Sequence, residues 1–354
     1  MLTRLSHLLC FVLPLSTFSF LISGPHDALS GFAWTLPFWL VLLLDWWNPT
    51  IRTEQSADIQ KRFFDGILYG LALLHLANIW LMLNAVSELR WDTTDDLGFG
   101  LVNLIAIRFL VGTSSGTSGI VLAHELIHRP QPYLQQLGRL LLCTVCYEHF
   151  VITHKRGHHL SMGMPQDIAT ARLGESFHDY WLRIYKGHIR YAWQSELERL
   201  SISNQPWQLK IIHHQVLQGL AAELILLTAI SVIFGWLAAL MFLYQAFAAV
   251  RILETVNYFQ HWGLEDERYG HTFGWVTDAW MSRYVLIGLS HHIGHHENEN
   301  RHFFEIAYSD QGPKLPYGYF VMNLWVKLNN ASYQQMALRE LERFQNSGIS
   351  GTLS

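Results

Sequence analysis

The sequence predicts an all-α integral membrane protein: about six transmembrane helices carrying a histidine-rich helical region at one face of the bilayer. Three observations predict it. Apolar runs close to the roughly 17–25 residues that cross a bilayer recur along the chain. Histidine is as plentiful as it is unusual, 20 residues against 24 Lys and Arg together, and imidazole is the commonest metal ligand. Half of the 354 residues are hydrophobic and only 15% are charged, which excludes disorder and fibrous repeats. A net charge of -4 leaves no electrostatic footprint for nucleic acid. Cys10, Cys143 and Cys146 are too few for a disulfide scaffold or a four-thiolate iron–sulfur cluster, so any electrons come from a separate protein.

Taken in order, Leu5 to Ile22 follows Arg4. No small-residue cleavage site follows it and a second apolar run begins at once, so it is a retained span rather than a signal peptide. The second, Ala28 to Trp46, ends in Trp46-Trp47-Asn48-Pro49, interfacial aromatics before a helix-stopping proline. Phe63 to Val86 is the third, and Leu97 to Leu122 the fourth, with a small-residue stretch from Gly112 to Gly119 that permits close helix packing. His124 to about Trp207 is too polar for a continuous span, although Leu134 to Tyr147 has the character of a buried or re-entrant helix. Leu217 to Phe234 and Trp236 to Val250 form a helical hairpin about Gly235. The chain thus divides into residues 1–123 with four spans, a polar region 124–206, the hairpin within 207–258, and a second polar region 259–354. Glu223 and Arg108, the charges inside spans, are expected to pair with each other or face the bundle interior.

Arg52, Lys61, Arg62, Arg129, Lys155, Arg156, Arg172 and Arg183 fall on one side of this topology, whereas the opposite loops contain only Arg90. The excess of basic residues places the termini and the polar regions in the cytoplasm.

Four histidine clusters lie at or beyond these cytoplasmic span ends. His124 and His128 stand at i and i+4, one helical turn apart on one face, the spacing two ligands of one metal need. His154-Lys155-Arg156-Gly157-His158-His159 repeats that spacing and adds an adjacent ring pointing elsewhere, so one segment can serve one metal and reach a second. His292, His295 and His296 do the same, and His261 closes the sixth span. Nine imidazoles exceed what one tetrahedral or octahedral ion takes, so two ions with four or five ligands each are expected, of iron, copper or zinc. Ligand imidazoles need their second nitrogen held. Glu125, Asp167, Glu175 and Asn257 are the residues expected to support the site, with Glu148, Glu254 and Glu297 as further acceptors nearby.

The clusters and their surroundings carry a resemblance. His124-Glu125-Leu126-Ile127-His128-Arg129, the second box followed by Pro165-Gln166-Asp167 and Arg172-Leu173-Gly174-Glu175-Ser176, Asn257-Tyr258-Phe259-Gln260-His261-Trp262-Gly263-Leu264, and His292 to His296 stand in order. In this the sequence resembles the membrane-bound non-haem di-iron family of alkane 1-monooxygenases, xylene monooxygenase hydroxylase subunits and, more distantly, fatty acid desaturases. The likeness runs from the spans to about Glu305, and the Gly-Glu-Ser and Asn-Tyr-x-x-His-x-Gly-Leu segments look more like the hydroxylases. It implies two irons held by His124, His128, His154, His158, His159, His261, His292, His295 and His296, with O2 as co-substrate. It further implies an apolar hydrocarbon or acyl chain taken from the bilayer, and a rubredoxin or ferredoxin with its reductase as electron donor in a bacterial inner membrane. Arg129, Lys155 and Arg156 are expected to attract an acidic donor. The chain departs from the pattern where Glu297-Asn298-Glu299-Asn300 follows the last box and where Val276 follows Trp275, which bears on substrate and regiochemistry.

Three other readings compete. A desaturase uses a similar cluster without inserting oxygen. His-Glu-x-x-His is also a zinc-protease signature, but a protease needs one further ligand and leaves six patterned histidines unexplained. A metal transporter requires polar residues along the membrane midplane, where Glu223 and Arg108 are too few. Cys143-Thr144-Val145-Cys146, flanked by leucines, reads as two small buried residues, and His7, His26, His75, His178, His188, His213, His214, His271 and His302 lack ligand spacing.

Overall fold

A computed structural model describes residues 2–47, 61–201, 209–264 and 274–346. Asn48, Pro49, Arg52, Trp207 and His271 lie outside the described residues, as does the 202–208 stretch holding the boundary between the first polar region and the hairpin. The helices in chain order are α1 (Arg4–Ser23), α2 (Ala28–Trp47), α3 (Lys61–Ser87), α4 (Thr94–Ile127), α5 (Pro132–Cys143), α6 (Phe177–Arg199), α7 (Gln215–Phe234), α8 (Trp236–His261), α9 (Trp280–Val285), α10 (His292–Glu297), α11 (Tyr319–Leu328) and α12 (Asn330–Asn346). A lone bridge between Val276 and Lys314 is the β pairing among the described residues.

Six of these helices, α1 to α4, α7 and α8, are long and apolar enough to cross a membrane. Lipid is the solvent that makes sense of their outer surfaces. Leu73, Ile105, Leu224, Ile225, Val232, Ile233 and Trp236 are each exposed by about two thirds or more, an amount of uncovered apolar surface that a water-soluble fold does not carry. The protein is an integral membrane protein.

α4 and α8 are the spine. Gly112 and Gly116 let the two backbones meet, because a Cβ on Gly116 would stand 2.9 Å from Ile252 Cδ1 and one on Gly112 2.9 Å from Ala248 Cβ. Small residues serve here as expected. The Ser115–Gly119 stretch of α4 winds as a π-helix, re-phasing the face that follows it. Both helices outrun their apolar sections. α4 continues to Ile127 and α8 to His261, so the limits drawn at 123 and 258 fall inside continuous helices, which deliver the first and third histidine clusters directly.

Arg108 and Glu223 do not pair. Glu223 turns inward to accept the Glu148 amide at 3.0 Å, and the Arg108 guanidinium lies 5.1 Å over the Tyr244 ring. A charge the sequence left unremarked does more. Asp45, fully buried at the end of α2, accepts Ser282 Oγ at 2.7 Å and the amides of Phe320 at 2.9 Å and Val321 at 3.3 Å. It therefore caps α11 from another helix and ties α2, α9 and α11 together. Replacing Asp45 with Ala leaves the Ser282 hydroxyl and both amides without their acceptor. The expected loss is about 1–3 kcal/mol, read as a lower midpoint of thermal unfolding in detergent; an unchanged midpoint refutes this role.

Candidate metal centre

Four segments converge at the ends of α4 and α8. His124 sits in the last turn of α4 and His128 at its C-cap; the π-helical turn Thr153–His158 brings His154 and His158; His261 ends α8; and α10 presents His292, His295 and His296. Nitrogens of His124, His128, His154, His159 and His295 lie within 4.8 Å of one another, and so do those of His158, His261 and His292. An ion with bonds of about 2.1 Å spaces opposite nitrogens about 4.2 Å apart, so each set needs little contraction to close on a metal. His296 joins the two sets, its ring 4.2 Å from that of His159 and 4.4 Å from that of His292.

The boxes divide differently from the spacing expectation. His154 and His158 stand at i and i+4, yet His154 groups with His159 and His158 with the other set. The π turn is the cause: it aligns residues five apart rather than four. α10 likewise gives His295 to one set and His292 to the other. Its glycine permits the approach, since a Cβ on Gly294 would stand 2.7 Å from the Ala307 carbonyl oxygen.

Six of the nine rings are neutral. Burial, with the charge of neighbouring imidazoles second, holds His128, His154, His159, His292 and His296 well below the usual histidine range and His295 at about 4. Each neutral ring has one N–H and one lone pair. At His158, Nδ1 donates to Asp167 Oδ2 at 2.9 Å and Nε2 is buried with no partner. Burial alone would raise the Asp167 carboxyl, but His158 and the Ala169 amide hold it below its ordinary value. Glu299 Oε2 lies 3.3 Å from Nδ1 of both His128 and His159. Nε2 of His295 and of His296 is also buried and unpartnered. In the first set the Nε2 atoms of His128 and His159 stand 3.0 and 2.9 Å from that of His154. Imidazole nitrogens converging at these distances, with Nε2 of His158, His295 and His296 buried and unpartnered, are what a metal ion fits.

Of the residues expected to support the histidines, Asp167 alone touches one. Glu125 is bound to Arg129 at 2.5 Å and accepts the Phe303 amide at 3.1 Å. Glu175 takes a two-pronged bond from Arg183 at 2.7 and 2.8 Å. Asn257 donates to Glu254, which also accepts from Tyr147 and Tyr180. Glu148 pairs with Arg139, and Glu297 is exposed where Glu299 is the inward neighbour. Arg129 is buried and paired with Glu125, so it presents no charge to a docking protein; Arg156 is held by Glu196 and Gln215, and Lys155 donates to the Ile127 carbonyl. Sequence reasoning passed over His149 and His291; the latter donates to the Ile306 carbonyl at 3.1 Å and belongs to neither set. Burial pushes the thiols of Cys143 and Cys146 up to about 12, so neither is a thiolate at neutral pH.

An apolar cavity of about 450 Å³ lies between α4, α8 and α11. Its wall residues Val121 and Leu289 also wall a small hollow beside His124, His292 and His295. Two apolar side chains thus stand between a membrane-level cavity and the imidazoles.

Fold and site together define a membrane-embedded protein with a polyhistidine centre suited to metal. The chain matches the family described as Fatty acid desaturase over residues 99–312. It is 38% identical to alkane 1-monooxygenase 1 of Pseudomonas aeruginosa over 77% of this chain and 71% of that protein. It is 26% identical to alkane 1-monooxygenase 2 of Alcanivorax borkumensis over 95% and 91%, and 27% identical to a xylene/toluene monooxygenase hydroxylase component of Pseudomonas putida over 57% and 55%. The chain belongs to the alkane and xylene monooxygenase family, within the wider fatty acid desaturase family.

The Asp167–His158 bond makes a specific demand. Asp167→Asn removes the anion that fixes the His158 tautomer, and metal affinity is expected to fall about 10–100-fold, measured by competition with a chelator and metal analysis of the purified protein. Unchanged retention would show that Asp167 does not orient a ligand.

Proposed function

We propose that this chain is an O2-dependent monooxygenase that hydroxylates an apolar hydrocarbon or acyl chain drawn from the bilayer. The observation that carries the reading is the cavity continuous in its walls with the histidine centre: Val121 and Leu289 face both. The proposed ligands are His124, His128, His154, His159 and His295 for one metal and His158, His261, His292 and His296 for the other. The metal is iron, as in the di-iron family the motifs resemble. When bound, it supplies activation of O2 and oxidation of an unactivated C–H bond. The chain's own residues do the rest. Asp167 holds a proton on Nδ1 of His158 and so keeps Nε2 free, and Glu299 stands beside the outer nitrogens of His128 and His159. Val121, Leu289 and Ile306 line the approach with carbon, so water is a poor competitor for the substrate's place.

Two arguments set aside the zinc-protease reading. Glu125, which would be the general base, is engaged by Arg129 and the Phe303 amide. His124 and His128 also share their cluster with three more histidines. Electrons are proposed to come from a rubredoxin or ferredoxin with its reductase, because the chain has no thiolate cluster of its own. The side bearing the histidines is proposed to be cytoplasmic in a bacterial inner membrane, supported by Lys61, Arg62, Lys155 and Arg156 on that side.

The test is product analysis by mass spectrometry of cells supplying a rubredoxin system and fed medium-chain alkanes, xylenes or fatty acids under 18O2. An 18O-labelled alcohol is expected, and it should be absent with His295→Ala. A new double bond without label would transfer the protein to the desaturase branch, and full turnover by His295→Ala would refute the ligand assignment.

A further inference from the structure

The cavity is apolar in its walls but not in its charges. Three cations line it and no carboxylate does: Arg108 from α4, Arg251 from α8 and Lys327 from α11. Each is held by groups that leave its charge uncompensated. The Arg108 guanidinium lies over the Tyr244 ring and its Nε is buried without a partner. The Arg251 guanidinium lies 5.7 Å over Phe177 and 6.0 Å over Trp181. Lys327 Nζ donates to Asn323 Oδ1 at 2.7 Å. Among the described residues none of the three forms an ion pair with a carboxylate. Snorkelling does not account for Arg108, which lies 14 residues inside α4, about 21 Å from its start. Lys327 feels its neighbours: burial first, then Arg251 and Arg108, push its ammonium down to about 7. Charges at such depth are costly unless paired, and a cavity for a neutral alkane has no use for them.

We propose that the cavity binds an acyl chain ending in an anion, with the anion on Arg108, Arg251 and Lys327 and the chain directed past Val121 and Leu289 to the histidines. This assignment rests on the hydroxylase reading for what happens at the far end, and on the cations alone for binding. Helical rise sets the length. Arg251 precedes His261 by ten residues and Arg108 precedes His124 by 16, so the anion sits about 15–24 Å along the helices from the imidazoles. With C–C bonds of about 1.5 Å, an extended chain advances about 1.25 Å per carbon and spans that distance with roughly 12–19 carbons. The anion is a carboxylate, as in a long-chain fatty acid, or the phosphate of a phospholipid with net negative charge.

The test is equilibrium binding to the purified full-length protein in phosphatidylcholine nanodiscs, which requires no turnover. Radiolabelled hexadecanoate is compared with hexadecan-1-ol of equal length. Hexadecanoate is expected to bind at least tenfold more tightly, and Arg108→Gln together with Lys327→Met should reduce that preference at least fivefold. Lys327→Met alone, which replaces an unpaired cation with an apolar chain of similar length, serves if the double variant does not fold. Equal binding of acid and alcohol by the wild type overturns the proposal, as does a preference that neither variant reduces. Nanodiscs containing phosphatidylglycerol identify the source: competition with hexadecanoate that is weakened in the same variants assigns the anion to a phospholipid phosphate, and no competition assigns it to the carboxylate. Failure of the hydroxylase reading is separately visible, as absence of labelled alcohol from hexadecane with the binding preference intact.

Discussion

A buried imidazole nitrogen with no hydrogen to share leaves a lone pair that water cannot reach, and the rings of two histidine sets, five and three, crowd together where α4, α8, α10 and the Thr153–His158 turn meet. Leaving a buried acceptor unmade costs about 1–3 kcal/mol, and Nε2 of His158, His295 and His296 all stand in that position. A fold does not gather such atoms by default. The local backbone is bent to do so: a π turn replaces an α turn in the second box, and Gly294 in the last box lets α10 press against the Ala307 carbonyl. Both departures cost stability in isolation, and both serve the placement of rings.

The bilayer explains why this centre is built on helix ends. Backbone polar groups in hydrocarbon must be satisfied within their own segment, so spans are helices and irregular turns belong outside. α4, at 34 residues, is about 51 Å long against a hydrocarbon thickness of about 30 Å. The excess carries His124 beyond the apolar section on a rigid rod, and α8 does the same for His261. Gly112 and Gly116 lock those two rods together, so the distance between the first and third histidine clusters is set inside the membrane. The second box and the last, which need a π turn and a six-residue helix, lie in the polar regions where such geometry is allowed.

This division also explains what the sequence disclosed. Spans were legible because length and apolarity are one-dimensional properties, and α2, α3 and α7 begin and end within a few residues of expectation. Eight of the nine histidines singled out in the sequence fall into the two groups; those in the three boxes stand out because ligand spacing is local, and His261 only through their company. What spacing could not supply was the partition between the two sets, since i and i+4 share a face in an α turn but not in the π turn formed here. Nor could it supply partners across elements. Asp45 lies inside an apolar run, and its role depends on Ser282 and Phe320, more than 230 residues away. Glu299 sits two residues beyond Glu297 in a string of acids and amides, and only the turn after α10 decides which of them faces His128 and His159. Arg129 read as an exposed docking charge because its i, i+4 partner Glu125 was assigned to the histidines instead.

The distribution of charge gives the two ends of the site opposite characters. Neutral imidazoles do nothing to offset the charge of divalent ions, so an all-histidine centre in a poorly hydrated place needs anions close behind its ligands. Asp167 stands behind His158, and Glu299 behind His128 and His159. Both touch outer nitrogens, where they compensate charge without occupying positions facing the cavity. The cavity itself carries Arg108, Arg251 and Lys327 and no carboxylate. Carbon walls between them, Val121 and Leu289 foremost, keep the two fields apart in a medium that screens weakly. A neutral molecule in that space would have no preferred end. A chain with a charged terminus has one: its anion is drawn to the three unpaired cations, which leaves the apolar terminus as the part that reaches the imidazoles.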